Sequence, residues 1–381
     1  MAEPRPGRPA PLILVVEPPA ALPGDTSYGA LAARGQTLLA AELSRRFAAV
    51  GAEVQRLPAR ADTAGFHWGA WFASAARIAR LEARTAGKPG EAIGYAGAGA
   101  LALLDDRGLA DLAAARPGEV VANNRFSADA FVVSGDVDGA LNLLADCATD
   151  NAAVRQLESA GFVSRDLSAE RWSRFDVDTP LDLALLRLAT RLPGTRVLDG
   201  VVAAFLENAT GPSGRPLAVP ELDRIGAVVR DRDAELVVAG RVPSTAWAYL
   251  ESESACRVRC FIEERGMRSA REHAPRSMLA GWVERLGAAD LIAQLASLGD
   301  AVILDTRVLM AGLAGSAEAS AWPPEEERFA SDFLEADAIR TAWLAELTSA
   351  ASEASVPFLL GGHALVSDGL HIVVDAAWLG R

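Results

Sequence analysis

The chain has 381 residues, of which 50% are hydrophobic and 23% are charged. This length and composition predict two or three globular domains and exclude a disordered polymer. The formal net charge of -13 argues against a nucleic-acid-binding protein and against docking on an anionic membrane, since both need a surplus of cations. No apolar run reaches the length of a membrane-spanning helix or resembles a signal peptide, so we expect a soluble cytoplasmic protein.

The first half of the chain alternates short apolar runs with amphipathic stretches. Residues 12–16 form a continuous apolar run that is typical of a buried parallel strand. The same reasoning predicts further strands at 52–57, 93–96, 119–123 and 130–133. Helical spacing predicts helices at 31–50, 68–86, 103–115, 138–145, 151–160 and 180–191. Strands that alternate with helices of this length indicate an α/β domain with a mostly parallel sheet.

The second half has a different pattern and is rich in predicted helices. Three apolar strands are predicted at 235–239, 301–304 and 357–360, while 257–259 alternates as a strand does, and 311–327 is predicted to be a surface loop. Pro193-Gly194 is a plausible domain break. We therefore expect an α/β domain over residues 10–195, followed by a mostly helical α/β domain over residues 196–381.

The cysteine content is low, and the three cysteines give an odd number. Cys147, Cys256 and Cys260 are better interpreted as buried structural thiols than as a disulfide framework. The alternative for Cys256 and Cys260 is half of a metal site.

Two carboxylates stand immediately before a predicted helix. Asp176 and Asp178 lie two residues apart, and in a strand their side chains would point to the same face. Thr179 and Pro180 suit the cap and the first turn of the helix that follows. Mg²⁺ carried by a nucleoside triphosphate would neutralise such a pair, because it prefers carboxylate and phosphate oxygens. The alternative is that Asp176 pairs with Arg174 while Asp178 or Thr179 caps the helix.

The residues from 93 to 188 resemble the nucleotidyltransferases related to molybdenum-cofactor guanylyl- and cytidylyltransferases and to phospholactate guanylyltransferase. The segments that carry the resemblance are Phe175-Asp-Val-Asp-Thr-Pro-Leu-Asp-Leu183, Leu103-Leu-Asp-Asp-Arg-Gly-Leu109 and Thr149-Asp-Asn-Ala-Ala-Val-Arg155. The resemblance implies a three-layer, Rossmann-like nucleotidyltransferase domain. It also implies that the segment holding Asp176 and Asp178 supplies a ligand to the catalytic divalent metal, taken here as Mg²⁺.

Two features of the family's pattern are missing. The loop after the first strand, residues 17–24, carries prolines and no cation, whereas the family holds the triphosphate there with a Gly-rich loop containing Arg and Lys. The family's central metal-binding Asp is replaced by Gly99-Ala100. Asp129 and Asp136 are the nearest acids that could substitute for it.

A polar cluster follows the predicted strand at 119–123. Asn123, Asn124, Arg125 and Ser127 could line a nucleotide, with Asn123, Asn124 and Ser127 as the candidate binding residues. The alternative is a plain turn, because Asn-Asn tolerates left-handed backbone.

In the second half, charged residues follow the apolar strands. Arg241, Arg268 and Arg307 could bind a small anionic acceptor, while Asp305 and His363 are candidates for acid–base catalysis. The alternative is that Arg–Asp pairs, such as Asp305 with Arg241 or Arg307, connect secondary-structure elements.

Three functions are consistent with these patterns. The first is a metal-dependent nucleotidyltransferase that joins a nucleoside monophosphate from a triphosphate to a small anionic acceptor. The second is a non-catalytic nucleotide- or anion-binding or regulatory protein built on a similar fold. The third is a hydrolase or transferase whose site lies wholly in the second domain, around Asp305 and His363.

Overall fold

The computed structural model describes residues 10–58, 66–86, 91–264 and 274–379, and these residues form two compact units. The first unit takes residues 10–22, 33–178 and 198–202 of the described chain. The second takes residues 23–32, 179–197 and 203–379. The helix that opens at Pro180, which the sequence places in the first domain, therefore groups with the second unit.

The first unit is built on a six-stranded mixed sheet. Its strands are β1 (Leu12–Glu17), β2 (Glu53–Pro58), β3 (Ala92–Ala96), β4 (Glu119–Ala122), β5 (Ala130–Ser134) and β6 (Val163–Asp166). The strand order is β2-β1-β3-β5-β4-β6, and β5 runs antiparallel to both of its neighbours. The helices of this half of the chain are α1 (Tyr28–Ala49), α2 (Trp68–Thr85), α3 (Asp106–Ala113), α4 (Val137–Leu144) and α5 (Ala153–Ser159).

Helices cover both faces of this sheet, which gives three layers. Leu12 and Leu14 of β1 point to one face and pack with α2 and α4, whereas Ile13 and Val15 point to the other face and pack with α1. This alternation follows from the two-residue period of a strand. The continuous apolar run of β1 thus has a layer of helix on each side, and the α/β prediction is confirmed.

The second unit contains a four-stranded, wholly parallel sheet. Its strands are β7 (Glu235–Gly240), β8 (Arg257–Ile262), β9 (Ala301–Asp305) and β10 (Phe358–Gly361), in the order β10-β9-β7-β8. The helices that follow residue 178 are α6 (Pro180–Ala189), α7 (Gly200–Asn208), α8 (Leu222–Arg230), α9 (Ser244–Glu253), α10 (Met278–Leu286), α11 (Ala288–Ala296), α12 (Thr306–Ala314), α13 (Glu325–Asp332), α14 (Ala342–Glu353) and α15 (Asp368–Ala377).

Two local predictions are wrong. Residues 175–178 form an irregular segment and not a strand end, and the predicted loop at 311–327 contains the end of α12 and the start of α13. The helix start at Thr179 is confirmed, because its hydroxyl accepts from the Asp182 N–H and the Asp182 carboxylate accepts from the Thr179 N–H in a capping box. Among the described residues, no helix is long and apolar enough to span a membrane.

Candidate functional site

The candidate site lies at the carboxyl edge of the six-stranded sheet. The strands that neighbour β1 are β2 on one side and β3 on the other, so the strand order reverses between β1 and β3. Open α/β sheets bind their ligands at such a switch point, beyond the carboxyl ends of the strands. Because β5 is antiparallel, the residue that precedes it, Asp129, also lies at this edge, where its carbonyl accepts from the Gly97 N–H at 2.9 Å.

Asp129 is the centre of a group of acids. Its burial raises the pKa of its carboxyl group to about 7, and the negative charges of Asp150 and Asp178 add to the increase. Asn123 opposes the shift by donating from Nδ2 to Oδ2 of Asp129 at 3.2 Å. The residue itself remains partly exposed, so solvent reaches this position. The ionisation of Asp129 thus depends on the charges of Asp150 and Asp178.

Asp150 belongs to a short 3₁₀ turn, Asp150–Ala152, that precedes α5. The hydroxyl of Tyr95, on β3, donates to its Oδ2 at 3.3 Å. Burial of Tyr95, together with the charges of Asp150 and Asp129, raises the pKa of the phenol well above its ordinary value. Tyr95 therefore remains a neutral donor to the acidic group.

The irregular segment at 175–178 presents Asp176 and Asp178 on its solvent side. Phe175 and Val177 are buried, whereas Asp176 is half-buried and Asp178 is exposed. Oδ1 of Asp176 accepts from the adjacent Val177 N–H at 2.9 Å. The alternation predicted from the sequence is therefore present even though no strand forms.

Position 99 has no room for a side chain. A Cβ atom at this position would lie 2.2 Å from the Val177 carbonyl oxygen and 2.9 Å from Oδ1 of Asp176. The Val177 N–H also donates to the Gly99 carbonyl at 3.2 Å. Any side chain at position 99, a carboxylate included, would collide with the backbone that carries Asp176.

Asn123 and Asn124 hold the connection between β4 and β5. Asn123 is 1% exposed, and its Oδ1 accepts from the Ala130 N–H at 3.0 Å while its Nδ2 also donates to the Ser173 carbonyl at 3.1 Å. Oδ1 of Asn124 accepts from the Phe126 N–H at 3.1 Å, as in an Asx turn. Ser127 lies half-buried in the same connection. Asn123 is therefore a buried residue that is hydrogen-bonded to Asp129. The sequence predicts instead that it lines a nucleotide.

Two other residues singled out in the sequence have structural partners, and only Arg125 lies near this edge, because Asp136 follows the antiparallel β5 at the opposite edge. Nε of Arg125 is 2.8 Å from Oε1 of Glu158. Asp136 caps α4 by accepting from the Gly139 N–H at 2.9 Å. Of the two acids that could replace the missing one, Asp129 is thus the one that joins the acidic group.

The described acids at this edge do not form a closed metal site. In the described part of the chain, no group of three or more His, Cys, Asp or Glu side chains could hold a metal ion on its own. Mg²⁺ is typically bound through one or two carboxylates, with substrate phosphates and water completing its shell. Any Mg²⁺ at this edge would therefore be held by one or two of these carboxylates together with phosphates of a ligand.

In the second unit, the strand-end charges are paired. Nε and Nη2 of Arg241 donate to the two carboxylate oxygens of Asp305 at 2.6 and 3.0 Å. Asp305 is fully buried and also caps α12 by accepting from the Arg307 N–H at 3.1 Å. Burial alone would raise the pKa of Asp305, but the charge and hydrogen bonds of Arg241, with His363 nearby, hold it below its ordinary value. The Arg–Asp alternative left open by the sequence is present here.

Arg307 forms a second, deeper pair. Its guanidinium donates through both terminal nitrogens to Asp332 on α13, with Nη2 2.7 Å from Oδ2. Burial opposes the charge, but Asp332, Asp305 and Asp182 raise the pKa of Arg307 above its ordinary value. Arg307 is thus buried in the second unit and bound to Asp332. The other arginine predicted for the acceptor, Arg268, lies outside the described residues.

His363 is exposed two residues beyond the end of β10. Gly361, the last residue of β10, is the register partner of Asp305, which places His363 next to the end of β9. The geometry brings Arg241, Asp305 and His363 together at one edge. Cys147 and Cys256 are buried, as predicted, and Cys260 is half-buried.

Sequence reasoning missed three of the residues described above. Asp150, Tyr95 and Asp332 meet their partners only through the tertiary fold, because Asp150 is 55 residues from Tyr95 and Asp332 is 25 residues from Arg307. The one usable sequence signal was that Asp150 lies in a polar turn before a helix.

A scan against known protein families, a search of curated proteins and a search of solved structures each found no match for this chain.

Proposed function

We propose that the first unit is a metal-dependent nucleotidyltransferase, which moves a nucleoside monophosphate from a triphosphate to a small acceptor and releases pyrophosphate. The observation that carries the proposal is the group formed by Asp129, Asp150 and Asp178 at the carboxyl edge, beside the reversal of strand order. Like charges gathered at a ligand-binding edge favour the binding of a cation. The resemblance of residues 93–188 to Rossmann-like nucleotidyltransferases points to the same chemistry.

In this proposal Asp178 and Asp176 bind Mg²⁺ that enters with the triphosphate. The ion would stabilise the negative charge that develops on the departing pyrophosphate. Asp178 is suited to this role because it is exposed, whereas Asp129 lies deeper and carries a proton for part of the time near neutral pH. Binding of a cation would favour release of that proton, while Asn123 holds the Asp129 carboxylate in place.

The test is a thermal-shift titration with GTP, CTP, ATP and UTP, each with and without Mg²⁺. We expect at least one nucleotide to raise the unfolding temperature by several degrees only when Mg²⁺ is present. Asp178→Asn should abolish that shift and the release of pyrophosphate. Asp146→Asn, which neutralises an exposed acid outside the group, is the matched control and should behave as the unmodified protein. Equal shifts in both variants would contradict the proposal.

A second candidate is a non-catalytic binding or regulatory protein on the same fold. The observation that favours it is a carboxylate at the start of α1, where Glu326 accepts from the N–H groups of Tyr28 and Gly29 at 2.8 and 2.6 Å. A helix N-terminus that faces a carboxylate is already neutralised and is less able to receive phosphate. The prolines and the lack of a cation in residues 17–24 agree with this interpretation. A nucleotide shift that persists in EDTA, without release of pyrophosphate, would favour this candidate.

A further inference from the structure

A second carboxyl edge, in the four-stranded sheet, has the geometry of an anion site. Its strand order, β10-β9-β7-β8, reverses between β7 and β9, so this parallel sheet also has a switch point. Arg241 directly follows β7, and Asp305 ends β9. The two residues therefore meet at the position where open α/β sheets bind ligands.

Asp305 holds the Arg241 guanidinium in one orientation. The pair uses Nε and Nη2 of Arg241, so Nη1 takes no part in it. The Arg241 backbone N–H also donates to Oδ2 of Asp305, at 3.3 Å. A guanidinium fixed along one edge by a buried carboxylate loses little conformational entropy when its other edge binds an oxyanion. The Arg241 side chain is 15% exposed, so it is accessible at the surface of this edge.

Gly240 is part of the same arrangement. Its φ is +132°, and a Cβ atom there would lie 2.3 Å from Cβ of Asp305. Glycine therefore allows β7 to end in close contact with Asp305 and to direct Arg241 onto its carboxylate. A backbone conformation that disfavours side chains is held only where the surrounding structure requires it. The contact between Gly240 and Asp305 is therefore more specific than a chance surface ion pair.

Two further groups lie at the same carboxyl edge as Arg241. His363 follows β10 beside Asp305, as the strand register requires. Helix α9 starts at Ser244, three residues after Arg241, and no side chain caps its N-terminus. Helix N-termini favour anions, and here the terminus adds to a fixed arginine rather than acting alone.

We propose that Arg241 and His363, with Asp305 as the positioning residue, form a binding site for a small oxyanion, such as a phosphate monoester, at the switch point of the second unit. Arg307 is not part of it, because its guanidinium is bound to Asp332. This site lies within the second unit and does not depend on nucleotidyl transfer by the first.

The test measures the affinity of the full chain for inorganic phosphate, with sulfate and succinate as comparison anions. Arg241→Lys keeps a cation beside Asp305 but removes the second donor edge, so we expect phosphate to bind about ten-fold more weakly. His363→Gln should weaken binding about three-fold. Arg257→Lys is the matched control, because Arg257 begins β8 at the opposite edge of the same sheet and its variant should bind as the unmodified protein does.

A second measurement keeps the proposal testable if Arg241→Lys fails to fold. Phosphate added to the unmodified protein should move the NMR signal of the Arg241 Nε–H and leave that of Arg307 in place. Stronger binding of succinate than of phosphate would identify a carboxylate as the ligand class and overturn the phosphate assignment. The absence of any effect at tens of millimolar of all three anions would overturn the site, as would equal binding by Arg241→Lys and Arg257→Lys. None of these results bears on the response to nucleotide and Mg²⁺, which is followed through Asp178.

Discussion

The pKa values of Asp129 and Asp305, which lie at the two carboxyl edges of this protein, are shifted in opposite directions. At the edge of the six-stranded sheet, Asp129 has acidic neighbours, and the pKa of its carboxyl group is raised to about 7. At the edge of the four-stranded sheet, Asp305 is paired with Arg241, and the pKa of its carboxyl group is lowered although the residue is fully buried. The carboxyl group of Asp129 is therefore partly protonated near neutral pH, whereas that of Asp305 stays ionised beside its arginine.

This difference predicts that charged residues at the two edges contribute differently to stability. Removing one partner of a buried pair leaves an uncompensated ion, so the pairs in the second unit are expected to dominate stability. Neutralising one member of a group of like charges relieves repulsion instead. Substitutions at the two edges should therefore change the free energy of unfolding in opposite directions.

The largest effect is expected at Arg307. Arg307→Met leaves Asp332 buried without its cation and should lower the free energy of unfolding by about 3–5 kcal/mol, measured by urea denaturation. The double variant Arg307→Met/Asp332→Leu should recover most of that loss, because both charges are gone. As a control, Arg259→Met breaks the more exposed pair with Glu235 and should cost less than about 1 kcal/mol. Equal losses in the single and double variants would show that the ion pair is not the cause.

A smaller effect is expected from the ionisation of Asp129. Because its pKa is raised from 3.8 to about 7 in the folded chain, the folded state keeps a proton that the unfolded chain loses. Its contribution to stability is complete below about pH 4 and is lost as the pH rises to about 7, by on the order of 1 kcal/mol per pH unit at most. Asp129→Asn should remove this part of the pH dependence in urea denaturation between pH 4 and 8. An unchanged slope in Asp129→Asn, or a lost slope in the control Asp146→Asn, would contradict the assignment.

The smallest effect is expected at Asp178. Asp178→Asn removes one of the two charges that raise the pKa of Asp129, so that pKa should fall. In metal-free buffer at pH 8, the free energy of unfolding should rise by no more than about 1 kcal/mol, since Asp178 is exposed. Carbon-13 NMR titration of the Asp129 carboxyl group measures the shift directly. A pKa that stays near 7 in this variant would show that burial and Asp150, and not Asp178, cause the shift.

The parts of the fold that depend on local pattern were predictable from the sequence. The apolar run of β1 and the Thr179-Pro180 helix start follow from periodicity and capping chemistry, and both are present. Residues 175–178 show the expected alternation of buried and more exposed side chains but form no strand. The sequence pattern predicts which side chains are buried, but it does not show whether a partner strand is present. β6 was not predicted, since its sequence, Val-Ser-Arg-Asp, lacks an apolar run.

The candidate site was less predictable because its charges meet through tertiary structure. Asp129 could be named only as a possible substitute for a missing acid, and its approach to Asp150 depends on the antiparallel direction of β5 and on the turn before α5. Likewise, Arg241 and Asp305 were recognisable as strand-end residues, but their pairing depends on the adjacency of β7 and β9, which are separated in the chain by β8.

The close contact between Gly240 and Asp305 has an evolutionary consequence. A larger residue at position 240 would push against the aspartate that orients Arg241, and the backbone there disfavours any side chain. Among chains descended from the same ancestor, these three positions should therefore vary together: where glycine is replaced at 240, the aspartate and the arginine should be replaced as well.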